Sequence, residues 1–208
     1  MSSTFAENIS IEEIRELELK WFEGEIVVVD SISKFRSVIT HLKRCDILGF
    51  DTETKPSFRK GKKNKVSLIQ LADKNLACLF RINKIGLPTE LLEILADRNV
   101  IKAGVAIHDD IKILKHISRF EPGGFIDLQT FVKNYGIQCS GLKKLTAIVL
   151  GFRISKSQQV TDWEAASLSE AQQIYAATDA WVCREIYNTL RLERPPSRPS
   201  PRGEGAMD

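Results

Sequence analysis

The order of its apolar runs constrains this chain most: short β-branched stretches crowd the first half, and longer helical periods fill the second. Ile26-Val-Val-Val-Asp, bounded by Gly24 and Ser31, has the composition of a strand. Asp46-Ile-Leu-Gly-Phe-Asp, Val66-Ser-Leu-Ile-Gln-Leu-Ala, Leu76-Ala-Cys-Leu-Phe-Arg-Ile and Val100-Ile-Lys-Ala-Gly-Val read the same way. Asp73-Lys-Asn suits a hairpin turn, which predicts an antiparallel pairing of the two strands it joins. Ser10 and Glu13 form a capping-box pattern and predict a helix to about Trp21. Phe35, Val38, Ile39 and Leu42 recur at helical spacing, and Pro88 opens a helix to about Ala96. Further helices are predicted over about 109–117, 127–135, 142–150 and 168–190. This order predicts an α/β fold, a central mixed sheet flanked by helices.

At 208 residues and 43% hydrophobic, the chain has material for one well-buried domain. The predicted division is a helical extension over 1–24, a folded domain over 25–191 and a Pro/Arg-rich tail over 192–208. That tail has too little apolar surface to fold. The formal charge is only +3, but Lys55, Arg59, Lys60, Lys62, Lys63 and Lys65 form a basic run without an acid. The remainder is therefore net acidic, and the run is a candidate contact for a polyanion. The four cysteines lie far apart with no C-x-x-C pair, which predicts reduced thiols. Glu7, Glu12 and Glu13 interrupt the N-terminus as a signal peptide, and nothing approaches a membrane span. A cytoplasmic location is expected, or a nuclear one if the source is eukaryotic. No G-x-x-x-x-G-K-[ST] phosphate loop is present.

Three acidic phrases carry the chemistry. Asp51 and Glu53 end an apolar strand at i, i+2, so both carboxylates point to one face. Taken alone, this pair is better explained as a polar strand end. Asp110 has Ile113, Leu114 and Ile117 at i+3, i+4 and i+7, which puts it on the buried face of its helix near the N-terminus, although locally a helix-capping role for Asp109 and Asp110 fits about as well. Asp109, one step around, reads as a cap or a solvent-facing acid. Tyr175 and Asp179 are one turn apart, with Val182 and Ile186 continuing the Asp179 face inward. Carboxylates without a Cys or His cluster favour a hard cation, Mg²⁺ or Mn²⁺, over zinc.

In combination these phrases resemble the DEDD superfamily of 3′-to-5′ exonucleases, in the branch with tyrosine in its third motif. The resemblance rests on Gly49-Phe-Asp-Thr-Glu, Lys65-Val-Ser-Leu-Ile-Gln-Leu, Lys102-Ala-Gly-Val-Ala-Ile with Asp110, Leu142-Lys-Lys-Leu with Leu150-Gly, Asp162-Trp163 and Tyr175-Ala-Ala-Thr-Asp-Ala. It covers about Ile26 to Leu190 and implies a ribonuclease H-like fold. Carried over, Asp51, Glu53, Asp110 and Asp179 are implied as ligands of two divalent cations, and Tyr175 as the residue that orients the attacking water. The implied partner is a nucleic acid with a free 3′ end, DNA favoured and RNA as the alternative. Gly-Val-Ala-Ile and the lysine-rich loop lean toward the Werner-type members; Lys156-Ser and Thr161-Asp-Trp are similar to ribonuclease D. Arg59, Lys60, Lys62, Lys63 and Lys65 are candidate phosphate contacts, and His108 is a candidate substrate contact.

Overall fold

A computed structural model describes residues 5–55 and 66–193. Among the described residues six strands form one sheet: β1 (Glu25–Val29), β2 (Ile47–Thr54), β3 (Val66–Ala72), β4 (Leu76–Arg81), β5 (Ile101–Gly104) and β6 (Phe125–Asp127). Their order is β1-β4-β3-β2-β5-β6. β3 runs antiparallel to both its neighbours, and every other pairing is parallel, so the sheet is mixed as predicted. The β3–β4 hairpin closes at Asp73, whose Oδ1 accepts the Asn75 and Leu76 amides at 2.6 and 2.7 Å.

Both faces of the sheet are covered, which is why its central strands are nearly continuous apolar runs. On one face α2 (Ile32–Leu42), α4 (Thr89–Ala96) and α5 (His108–Ile117) bury Phe35, Leu42, Leu91, Leu95 and Leu114 against Leu48, Phe50, Leu71 and Phe80. On the other lies α8 (Glu170–Leu192), opened by a capping box between Ser169 and Gln172. Its first half packs on Leu68, Ala72 and Leu79. Its second half packs with α7 (Leu142–Leu150) around Leu145, Val149, Ile186 and Leu190. No helix among the described residues is long and apolar enough to cross a membrane.

Several boundaries depart from the sequence reading. The N-terminal helix, α1 (Ile11–Glu16), stops before Trp21 because the following residues pair with a distant strand-like segment. Lys20 N donates to Arg153 O, Arg153 N donates to Glu18 O, and the Arg153 guanidinium donates to Leu17 O. A one-turn helix, α3 (Ile82–Ile85), ends the fourth predicted strand. The predicted helix over 127–135 is β6, then α6 (Leu128–Phe131) and a 3-10 turn over Val132–Tyr135. Ile117, assigned above to a buried face, is 38% exposed because it is the last residue of α5 and projects past the core.

Candidate active site

The site forms where β2 meets α8, and a missing side chain sets that contact. A Cβ on Gly49 would lie 1.7 Å from the Ala180 carbonyl oxygen, so only glycine lets the α8 backbone come this close. Because strand side chains alternate, the face that carries Gly49 also carries Asp51 and Glu53, while Leu48 and Phe50 enter the opposite core. A register shift between Glu53 and Thr54 ends the regular pairing with β3 just past the second acid. From α8, Tyr175 and Asp179 come to the same place one turn apart, both buried.

The result is a tight carboxylate cluster. Asp51, Glu53 and Asp179 each offer an oxygen within 4.8 Å of the others. Burial raises the Asp51 carboxyl well above the usual range, and Asp179 and Asp110 add to it, against a bond from the Thr52 amide. Burial, then Asp51, Asp179 and Asp110, push Glu53 up to about 9. Burial also pushes Asp179 up to about 7, opposed by a hydrogen bond with the Tyr175 phenol and by the Lys156 ammonium. The Tyr175 phenol is itself pushed up by burial and by Asp179 and Glu53, so it stays neutral at physiological pH. Like charges held out of water in this way favour protons or a cation between them.

Asp110 sits beside this cluster. Its Oδ1 accepts a 2.6 Å bond from the Thr52 hydroxyl, while burial raises its carboxyl. It reaches this position through a constrained turn between β5 and α5. Gly104 lies where a Cβ would be 2.4 Å from Ile107 Cγ2 and 2.6 Å from Phe50 O. Ala106 adopts φ 57°, and Asp127 accepts its amide at 3.2 Å. Asp109 is exposed and pairs with Lys112 at 3.7 Å.

Asp51, Glu53 and Asp179 open into a cavity of about 250 Å³, also lined by Thr52, Lys143, Lys156, Gln159 and Cys183 but not by Asp110. Thr52, Lys143, Lys156 and Gln159 were not among the sequence candidates. Lys143 and Lys156 lie in phrases used for the resemblance, and their lining of an acidic cavity comes only from the fold. Arg59, Lys60, Lys62, Lys63 and Lys65 lie outside the described residues. Lys55, at the start of that run, pairs with Asp162 and Glu164 at 3.6 and 3.5 Å. His108 is exposed at the first residue of α5 and is not among the residues lining the cavity. Behind the cluster Trp163 lies against Tyr175, with ring centroids 6.0 Å apart. The Arg81 guanidinium holds the Trp163 loop by donating to the carbonyl oxygens of Ala165, Ala166 and Trp163.

A mixed sheet whose central strand delivers paired acids to a buried helical Tyr/Asp turn defines an α/β domain with an acid-centred site. Residues 26–194 match the 3′-5′ exonuclease family, and the chain belongs to it. It is 34% identical over 153 residues to the mouse bifunctional 3′-5′ exonuclease/ATP-dependent helicase WRN, covering 70% of this chain and 11% of that protein. It is also 34% identical over 174 residues to human exonuclease 3′-5′ domain-containing protein 2, covering 78% and 28% respectively. To ribonuclease D of Gluconacetobacter diazotrophicus it is 30% identical, across 81% of this chain and 43% of that one. Among solved structures, the Aedes aegypti Nibbler EXO domain superposes with a TM-score of 0.73 at 26% identity, covering 84% of this chain and 91% of that one. Escherichia coli ribonuclease D superposes at 0.72 with 24% identity over 81% and 44%, a likeness of fold. The chain thus spans well under two thirds of the length of these curated relatives.

Proposed function

We propose that this domain is a divalent-metal-dependent exonuclease of the tyrosine branch, removing nucleoside 5′-monophosphates one at a time from the 3′ end of a nucleic acid, DNA by preference. The observation that carries this reading is the convergence of Asp51, Glu53 and Asp179 within 4.8 Å beside Tyr175, in a chain of the 3′-5′ exonuclease family. The donor set is all oxygen, which fits Mg²⁺ or Mn²⁺. Asp51, Glu53 and Asp179 would hold one ion, and Asp51 with Asp110 a second. Such a pair supplies charge neutralisation at the attacking and leaving oxygens of an in-line displacement.

The protein's own groups supply positioning. Tyr175, held neutral, can hydrogen-bond the attacking water while its ring is fixed against Trp163. Thr52 fixes the Asp110 carboxylate through its hydroxyl. Lys143 and Lys156 present ammonium groups to phosphate oxygens at the cavity wall, contacts that hold a strand without reading its sequence. RNA is the second reading, supported by the 30% identity to a ribonuclease D.

Matched single-stranded and recessed 3′-end oligonucleotides of DNA and RNA, assayed with Mn²⁺ or Mg²⁺, test this. Mononucleotide release from DNA at least tenfold faster than from RNA is the expected result. Faster release from RNA would transfer the function to RNA trimming, and no release from either would leave a strand-binding module.

A further inference from the structure

Away from the acids, at the end of the sheet where β2 begins and β3 turns into β4, a second set of metal-ligating side chains converges. His41 on α2, Cys45 just past its end and Asp73 in the hairpin turn each offer one ligand atom, and all three lie within 4.8 Å of one another. His41 Nε2 contacts Asp73 Oδ2, and the Cys45 thiol lies 3.7 Å from the same oxygen. We propose that His41, Cys45 and Asp73 form a site for a borderline-soft divalent cation of the zinc class, separate from the carboxylate cluster.

Three features support a site over a chance meeting. The first is local geometry: the chain leaves α2 in a tight turn, with Arg44 N donating to His41 O and Cys45 N to Leu42 O, which brings the Cys45 thiol to within 3.6 Å of His41 O. The second is orientation. Asp73 Oδ1 is occupied by two backbone amides, so the carboxylate is fixed with Oδ2 facing His41 and Cys45. Such outer bonds are what hold a ligating carboxylate in place. The third is distance. Zinc bonds of about 2.3 Å to sulfur and about 2.1 Å to oxygen, at a tetrahedral angle, put the two ligands about 3.6 Å apart. The 3.7 Å between Cys45 Sγ and Asp73 Oδ2, a contact that also serves as a thiol hydrogen bond, is close to that edge, and the His41 side chain is half exposed beside the same oxygen.

A nitrogen, a sulfur and one carboxylate suit zinc or cobalt better than magnesium. Binding displaces the Cys45 thiol proton to solvent. A fourth position would open to water in the adjoining cavity of about 450 Å³, lined also by Asp46, Lys74 and Arg184. Since the ligands join the end of α2 to the β3–β4 hairpin, the ion would act as a staple between them.

Cobalt(II) titration of the purified chain tests this, because a thiolate ligand adds an intense near-ultraviolet charge-transfer band that an all-oxygen site lacks. The expected result is a band whose full intensity corresponds to one thiolate-bound cobalt per chain, cobalt taken up by the carboxylate cluster adding nothing to it. It should be lost in Cys45→Ser, weakened at least tenfold in affinity in His41→Ala, and displaced by Zn²⁺. It should be retained in Cys183→Ala, which removes the thiol lining the acidic cavity. The exposed His41→Ala variant keeps the test informative if Cys45→Ser misfolds. No band, a band that survives Cys45→Ser, or a band unaffected by His41→Ala would overturn the proposal. Because the readout is spectroscopic, it is independent of nuclease turnover.

Discussion

Single side chains at this site act mainly by being held out of water in a set geometry. Tyr175→Phe keeps the ring against Trp163 and removes only the hydroxyl. We predict a kcat at least tenfold lower with KM nearly unchanged, since positioning of a nucleophile commonly matters by orders of magnitude. Thr52→Val removes the donor to Asp110 without changing volume much. One hydrogen bond of about 1 kcal/mol corresponds to about a fivefold loss of turnover. Steady-state kinetics of both variants would show this; a Thr52→Val enzyme with unchanged kcat would mean that Asp110 is held by something else. At this scale the sequence was informative but incomplete. Strand alternation aligned Asp51 with Glu53, and the helical period aligned Tyr175 with Asp179. Thr52 was unreadable because it points to the opposite face of β2 from those acids, and its partner lies 58 residues away.

Between elements, the decisive contact is α8 on β2. Gly49→Ala would drive a methyl into the Ala180 carbonyl, an overpacking that we predict costs about 3 kcal/mol. Urea unfolding should therefore shift to a lower midpoint with an unchanged slope, and activity should fall because the same displacement separates Asp51 from Asp179. Native-like stability in Gly49→Ala would contradict this account of how the helix is seated. Most of the elements could be read from periodicity because their lengths exceed one period. The exceptions are instructive. β6 spans three residues, too few to show alternation, and its place in the sheet comes from pairing with β5. α1 stops at Glu16 because Arg153, far along the chain, takes up the backbone groups of Leu17 to Lys20. Local preference carries no trace of such a partner.

For the molecule as a whole, the carboxylate cluster couples stability to protons and to metal. A carboxyl whose folded pKa exceeds its unfolded value contributes fully below the unfolded value and loses that contribution as pH rises through the folded one. With Glu53 pushed from 4.5 to about 9 and Asp179 from 3.8 to about 7, this site lowers the stability of the metal-free chain as pH rises from about 4 to about 9. Calorimetry in chelator should show Tm falling across that window. In Asp179→Asn the fall should be shallower, and an equally steep fall there would assign the pH dependence elsewhere. A divalent cation at one hundred times its Kd should restore about 2.7 kcal/mol.

The most direct test follows the fate of a 5′-labelled oligonucleotide with the wild type and with Asp51→Asn side by side. The account predicts stepwise shortening from the 3′ end with release of nucleoside 5′-monophosphates. It also predicts complete dependence on Mg²⁺ or Mn²⁺ and a loss of at least about a hundredfold in rate on Asp51→Asn, of the order seen when a transition-state electrostatic group is removed. Shortening from the 5′ end, internal cuts, or full activity in Asp51→Asn would contradict it.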